Sequence, residues 1–214
     1  MARPKILTYT LSASVPNGIC TAQTPSGAGA LTIDGAYATA GVATLNYPRH
    51  LLITTSANDT TKTLTIVGTD RYGKALSYTV NLPNATTLVV PYNFLTVTSV
   101  TVSAATTGTI TLGTYDSMEG PWIPLDWIGS DKATISVGLS ASGANMTYLL
   151  QSTLEDVQSD TFNAETCVTQ DTQLTGTASA IYKLDGPLRA IRLKITSFVL
   201  GTATLTIMER VSGK

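Results

Sequence analysis

Apolar and polar residues alternate one by one along most of this chain, which is the period of a β-strand with one buried face. We find no long segment with the 3.6-residue spacing of an amphipathic helix. Turn-forming clusters such as Pro16-Asn17-Gly18 and Ala57-Asn58-Asp59 separate the alternating segments, so the pattern predicts an all-β chain. The predicted strands lie at 5–13, 28–34, 42–46, 50–56, 62–69, 75–82, 86–90, 95–103, 108–113, 132–139, 145–154, 177–184, 188–197 and 202–210.

The clearest predicted element is a β-hairpin over residues 62–82. Its two strands alternate regularly, and Gly73 can adopt the positive φ that a tight turn requires. The alternation predicts that one face points into a core, with the side chains of Leu64, Ile66, Leu76, Tyr78 and Val80. The tip is then exposed and supplies candidate contact residues, namely Asp70, Arg71, Tyr72 and Lys74.

The alternation lapses near residues 114–121, where small polar residues collect. We interpret this segment as a junction between an N-terminal domain, 1–115, and a C-terminal domain, 121–214. Each is predicted to be a β-sandwich of immunoglobulin-like or jelly-roll-like type.

Two segments of the chain, 102–112 and 195–205, have similar sequences, and each is read as strand, short turn, strand. Either both domains end in the same closing hairpin, or any two hairpins in a threonine-rich chain look alike.

Composition supports strands and argues against several partners. Charged residues make up 13% of the chain, while it contains 38 threonines. Threonine is β-branched, and its hydroxyl keeps an outward strand face polar without charge. The net charge of -1 means that neighbouring copies repel each other weakly. The sequence contains no run of basic residues, so we do not expect nucleic acid as a partner. No apolar stretch has the length of a membrane span. No signal peptide is recognisable, so we expect cytoplasmic synthesis.

The residues needed for catalysis or metal binding are scarce. His50 is the only histidine, and Cys20 and Cys167 are expected to be buried free thiols without an activating base. We therefore expect no enzymatic activity and no cofactor. The segment 155–176 is predicted to be a long exposed loop, with a helical turn after Asp156. Its acidic residues could supply oxygen ligands to calcium, but their spacing matches no EF-hand; they are Glu155, Asp156, Asp160 and Glu165.

Two tryptophans are candidates for a binding surface. Trp122 and Trp127 lie five residues apart, which places them on opposite faces if the segment is a plain strand. This spacing disfavours a shared sugar-binding platform, although a carbohydrate-binding β-sandwich is the rival function. The alternatives are that they pack at the domain junction or serve as anchors at an interface.

Two stretches carry a resemblance to a known class of proteins. The first is 51–74 with 94–103, and the second is 187–197 with 201–207. Both resemble structural proteins that are encoded in the virion gene clusters of tailed double-stranded DNA bacteriophages, short-tailed ones in particular. The motifs are β repeats of moderate specificity, and no catalytic or ligand residue carries over.

The resemblance implies a non-enzymatic virion protein. Within the particle we expect a capsid decoration or accessory protein that assembles in many copies, because small sandwich domains suit attachment to a shell. A head–tail connector or tail component of the same particle is the alternative. The implied partners are further copies of this chain, as a homo-oligomer, and coat, portal or tail proteins, with no nucleic acid and no membrane. The implied location is the virion, after synthesis in the host cytoplasm.

Overall fold

The computed structural model describes residues 4–125, 134–142, 146–159, 161–163, 170–171, 180–185 and 188–210. Over these residues the chain is all-β, as the alternation predicts, and its sheets belong to the sandwich class. No helix in the described ranges is long and apolar enough to cross a membrane. The strands are β1 Lys5–Leu11, β2 Cys20–Gln23, β3 Gly29–Ala30, β4 Ala38–Thr39, β5 Val42–Thr55, β6 Thr63–Thr69, β7 Ala75–Asn81, β8 Thr87–Val89, β9 Phe94–Val102, β10 Ile110–Glu119, β11 Ile123–Pro124, β12 Thr134–Ser142, β13 Thr147–Thr153, β14 Gln170–Asp171, β15 Ala180–Asp185, β16 Ala190–Ser197 and β17 Gly201–Arg210.

The chain forms two compact units, and one of them is discontinuous in sequence. The central unit is Ser14–Met118, and the terminal unit combines Met1–Ala13 with Glu119–Lys214. Strand β1 pairs with β17, from Lys5 opposite Ile207 to Leu11 opposite Gly201. This pairing corrects the assignment of residues 5–11 to an N-terminal domain at 1–115. That the two parts fold independently stays a prediction.

The central unit is organised around β5. The first half of β5 pairs with β4 and β9, and its second half pairs with β8 and β10. The remaining strands extend from these partners, with β6 and β3 on β9, β7 on β6, and β2 on β10. Strands that flank both halves of β5 contribute to one buried apolar cluster, which includes Leu45, Leu51, Ile53, Leu64, Ile66, Phe94, Val97, Val100, Ile110 and Leu112.

The predicted hairpin is confirmed as β6 and β7, which pair in register with Ile66 opposite Tyr78. The predicted inward face is also confirmed: Leu64 and Ile66 are fully buried, and Leu76, Tyr78 and Val80 pack against the same cluster. The β6–β9 register shifts between Val67 and Gly68, while the alternation of burial along β6 continues to Thr69. A β-carbon at Gly68 would lie 1.9 Å from the carbonyl oxygen of Thr96.

The terminal unit contains two groups of paired strands. One follows the order β1-β17-β12-β15, and in the other β16 pairs with β11 and β13, with β14 beyond β13. Alternate residues of β17 are buried, namely Ala203, Leu205 and Ile207. Strand β16 is buried at five of its eight positions, which include the four consecutive residues from Ala190 to Leu193.

The two segments with similar sequences are not closing hairpins. Strand β9 pairs with β3, β5 and β6, whereas the following strand β10 pairs with β2 and β5. Likewise β16 and β17 lie in different sheets. The pattern of strand, short turn, strand is therefore correct, but the two strands that each turn connects pair with other strands and not with each other. Adjacency in sequence favours hairpin pairing without requiring it.

Replacing Ile66 by alanine should destabilise the central unit by about 2–5 kcal/mol, because it removes fully buried methyl groups and leaves a cavity. The neighbouring Val67 is 36% exposed on the opposite face of β6 and is the matched control. We expect Val67→Ala to cost clearly less. Equal losses of unfolding free energy in denaturant titrations would show that the inward face has been assigned wrongly.

Candidate functional site

The tip of the β6–β7 hairpin is held in a fixed shape by Asp70. Its side-chain oxygen Oδ1 accepts hydrogen bonds from the backbone N–H groups of Tyr72, at 2.8 Å, and Lys74, at 2.9 Å. The Asp70 N–H donates to the Lys74 carbonyl oxygen at 3.0 Å, and Gly73 has a φ of 78°. An aspartate that accepts from the next turn residues is a standard device for fixing a turn.

Of the four predicted tip residues, Asp70 supports the tip from within, whereas Arg71, Tyr72 and Lys74 lie on its surface. Asp70 is only 3% exposed, so it shapes the tip from within and does not offer a contact surface. Tyr72 is 51% exposed, Lys74 is exposed, and Arg71 is half-buried. A binding role for the displayed residues stays a prediction.

Strand β7 forms a sheet edge beside this tip. Among the described strands it pairs with β6 alone. Its residues alternate between exposed and half-buried, and the segment Ala75–Asn81 contains no charged residue and no proline. An edge strand presents a row of unpaired N–H and C=O groups, and proteins commonly block such edges with lysine or proline. The β7 edge lacks both devices along its length.

Trp122 is buried, which removes it from the set of surface anchors. It is 5% exposed and packs with Ala190, Val157 and Phe162. The ring of Phe162 meets it edge-on at a centroid distance of 6.3 Å, and the guanidinium carbon of Arg192 lies 4.5 Å from its ring centroid. These contacts bury the ring within the terminal unit, and packing at a domain junction stays a prediction. Trp127 lies outside the described residues.

An ionic cluster beneath Trp122 escaped the sequence analysis. The Glu119 carboxylate contacts Arg192 Nη1 at 2.5 Å and Lys194 Nζ at 2.8 Å. Arg192 Nε donates to Gln151 Oε1 at 2.7 Å, and these two residues are paired partners on β16 and β13. Buried ions are tolerated when every charge is paired in this way. The available signal was the spacing of Arg192 and Lys194, which puts two cations on one face of an otherwise apolar strand.

Two of the three groups considered for catalysis, Cys20 and His50, lie within the described residues. Cys20 is buried, and desolvation together with the nearby Asp34 carboxylate raises the pKa of its thiol to about 12. A thiol with so high a pKa is protonated at neutral pH and is a poor nucleophile. His50 lies half-buried within β5. Cys167 lies outside the described residues.

The predicted exposed loop at 155–176 is only partly described. Asp156 uses Oδ1 to accept from the Gln158 N–H at 3.0 Å, and its carbonyl oxygen accepts from the Ser159 N–H at 3.0 Å. It therefore forms a turn at the predicted place. Asp160 and Glu165 lie outside the described residues, so the arrangement of the four acids stays open. Elsewhere in the described part, no group of three or more His, Cys, Asp or Glu residues is placed to hold a metal ion.

Asp59 is a buried carboxylate that ties two loops of the central unit together. It is 1% exposed and forms an ion pair with Lys62. It also accepts hydrogen bonds from the backbone N–H groups of Thr107, at 2.8 Å, and Gly108, at 3.2 Å. Burial alone raises the pKa of Asp59, but the bonds from Lys62, Thr107 and Gly108 outweigh it and lower the pKa from 3.8 to about 2.

The comparisons with known proteins show no family for this chain. No family model and no curated protein matches it. One solved structure that aligns with it belongs to the atomic structure of Sulfolobus turreted icosahedral virus. The alignment covers 96% of this chain and 90% of that chain, at 10% sequence identity and a TM-score of 0.24. A TM-score this low does not establish a common fold, so no functional argument rests on it.

The Asp59 contacts predict a specific acid sensitivity. Because the folded-state pKa is lower than the unfolded one, the carboxylate stabilises the fold fully above pH 3.8 and loses this effect as the pH falls towards 2. Asp59→Asn should therefore lower the melting temperature at neutral pH and make it less sensitive to pH over this range. Asp156→Asn, at an exposed turn, is the control. If wild type and Asp59→Asn lose stability equally between pH 5 and pH 2, the assignment is wrong.

Proposed function

We propose that this chain is a non-enzymatic structural protein of a virus particle that assembles in many copies. The specific case that we favour is a capsid decoration or accessory protein of a tailed double-stranded DNA bacteriophage. The observation that carries the proposal is the uncharged edge of β7, which pairs with β6 alone among the described strands and lies beside a rigid hairpin tip, since this combination suits strand-to-strand association. The sequence resemblance is the reason for proposing that this association takes place in a virus particle.

The physical argument begins with the backbone. An incoming extended segment can pair with the open N–H and C=O groups of β7 and so extend the sheet by one strand. Tyr72 and Lys74 stand exposed at the end of that edge, on a tip whose shape Asp70 already fixes. A preorganised tip loses little conformational freedom on binding, which favours affinity.

The charge pattern adds a second argument. On the outward face of the hairpin, neutral hydroxyls take the place of charges, and Thr65 Oγ1 and Thr79 Oγ1 lie 2.9 Å apart across the two strands. Such a surface remains polar but does not repel an identical surface, in keeping with the net charge of -1. It therefore suits close packing of many copies.

The rival function, a carbohydrate-binding module, has less support. A sugar platform requires exposed aromatic rings, and Trp122 is buried among Phe162, Arg192 and Ala190. We propose equally that the chain is not an enzyme, because the Cys20 thiol is buried with a raised pKa. A head–tail connector or tail component would use the same edge, and copy number separates these roles.

The direct test is mass spectrometry of purified particles, with the abundance of this chain measured against the major coat protein. A decoration protein should be present in amounts comparable to the coat protein, whereas a connector should be present in a few copies per particle. Complete absence of the chain from particles, with binding of the isolated protein to polysaccharide, would refute the proposal.

The proposed surface is tested by Ser77→Lys, which places a charge on the exposed face of the edge strand β7. We expect the variant to fold with an unchanged melting temperature and to be lost from particles. Thr98→Lys is the matched control, because Thr98 is also exposed but β9 is paired on both sides. If Ser77→Lys is incorporated as efficiently as wild type, the β7 edge is not the contact surface.

A further inference from the structure

The placement of β1 is unusual for an N-terminal strand. It precedes the whole central unit in sequence, yet it pairs along its full length with β17, close to the other end of the chain. Among the described strands β17 is its one neighbour, so β1 forms the edge of its sheet. An edge strand held through one neighbour can leave without breaking any other strand pair.

The site that β1 occupies is specific in sequence. The hydroxyl oxygen of Tyr9 lies 2.8 Å from the position that a β-carbon on Gly120 would take, so the end of this ring packs closely over the glycine. Lys5 Nζ donates to the carbonyl oxygen of Pro124 at 2.7 Å, and Leu11 is buried. In contrast, Ile6 is 61% exposed. These contacts with Gly120 and Pro124, which lie outside β17, add to the strand pairing and make the site selective for this segment.

The connection between β1 and the central unit is short. Ser14 is fixed to Asp116 by two hydrogen bonds, from its backbone N–H at 2.7 Å and from its hydroxyl at 3.1 Å. The Val15 N–H donates to Thr114 Oγ1 at 2.9 Å. Only Ser12 and Ala13 separate this clamped point from the last residue of β1. A change at these two residues would redirect the entire strand, and short hinges of this kind favour exchange between copies.

We propose that β1 is an exchangeable strand, and that β1 of one copy occupies the β17 edge of a second copy of this chain. The contacts of β1 are identical whether they are made within a chain or between chains, so exchange leaves the strand's own contact energy unchanged. High local concentration then supplies the driving force that offsets the entropy of association. The proposal concerns the chain in isolation and does not depend on its role in a particle.

The register of the strands provides a direct test. Thr8 and Thr204 are paired partners on β1 and β17, and their hydroxyl oxygens lie 3.2 Å apart. Two variants, Thr8→Cys and Thr204→Cys, are made separately in full-length chains that carry Cys167→Ser, while Cys20 stays because it is buried. The two proteins are mixed, unfolded, refolded together at high concentration and treated with a short bismaleimide. A cross-link between them can form efficiently only if β1 of one chain lies on β17 of the other.

We expect a covalent dimer in this mixture, roughly tenfold or more above the yield from a control mixture of Thr8→Cys with Thr98→Cys, because paired strands hold the thiols at a high effective concentration. Thr98 is also exposed but lies on β9, which is paired on both sides. The double variant Thr8→Cys/Thr204→Cys, refolded alone at low concentration, should give an internal cross-link and verifies the pairing. If the double variant cross-links internally while the mixture gives no more dimer than the control, the exchange proposal is overturned.

Discussion

Backbone pairing along β5 is the constraint on which the central unit depends. A buried strand must satisfy its N–H and C=O groups on both sides, and β5 does so by changing partners partway along its length. The change falls at Arg49, which sits between Phe94 of β9 and Met118 of β10 and is 1% exposed. Its Nε donates to the Tyr115 carbonyl oxygen at 3.1 Å, and its guanidinium lies 3.6 Å from the Asp116 carboxylate.

This arrangement shows how the few charges of the chain are used. Arg49 supports a change of register, Asp59 ties two loops together, and Glu119 joins Arg192 and Lys194 beneath a buried ring. Several of the charges therefore act inside the fold, where unpaired polar groups would be costly. The outer strand faces rely on hydroxyl pairs instead, such as Thr8 with Thr204 and Thr69 with Thr96. Among the described residues, five charged side chains are therefore buried, namely Arg49, Asp59, Asp70, Glu119 and Arg192.

Much of the fold could be predicted from the sequence, because local alternation encodes strands directly. The hairpin from Thr63 to Asn81 was predicted with its inward face, since the alternation and the turn chemistry agree there. The partners of β1 and of β10 could not be predicted, because alternation specifies which face of a strand is buried but not which strand lies beside it.

The candidate site could be predicted from the sequence to a similar extent. The tip residues could be located from the turn between two alternating segments, but the burial of Asp70 follows from hydrogen bonds that a sequence pattern does not report. The burial of Trp122 likewise depends on Phe162 and Arg192, which are distant in sequence. The predicted roles of Trp127 and of the acids Asp160 and Glu165 stay predictions.

The account rests most directly on the claim that the open edge of β7 is where the chain meets its neighbours. Hydrogen–deuterium exchange on the free protein and on the protein in particles measures this claim at the backbone amides themselves. We predict that the amides of Ala75–Asn81 that point away from β6 exchange rapidly in the free chain and become strongly protected in the particle, while those of Val42–Thr55 are protected in both. Unchanged exchange along β7, with new protection confined to other segments, would contradict the account.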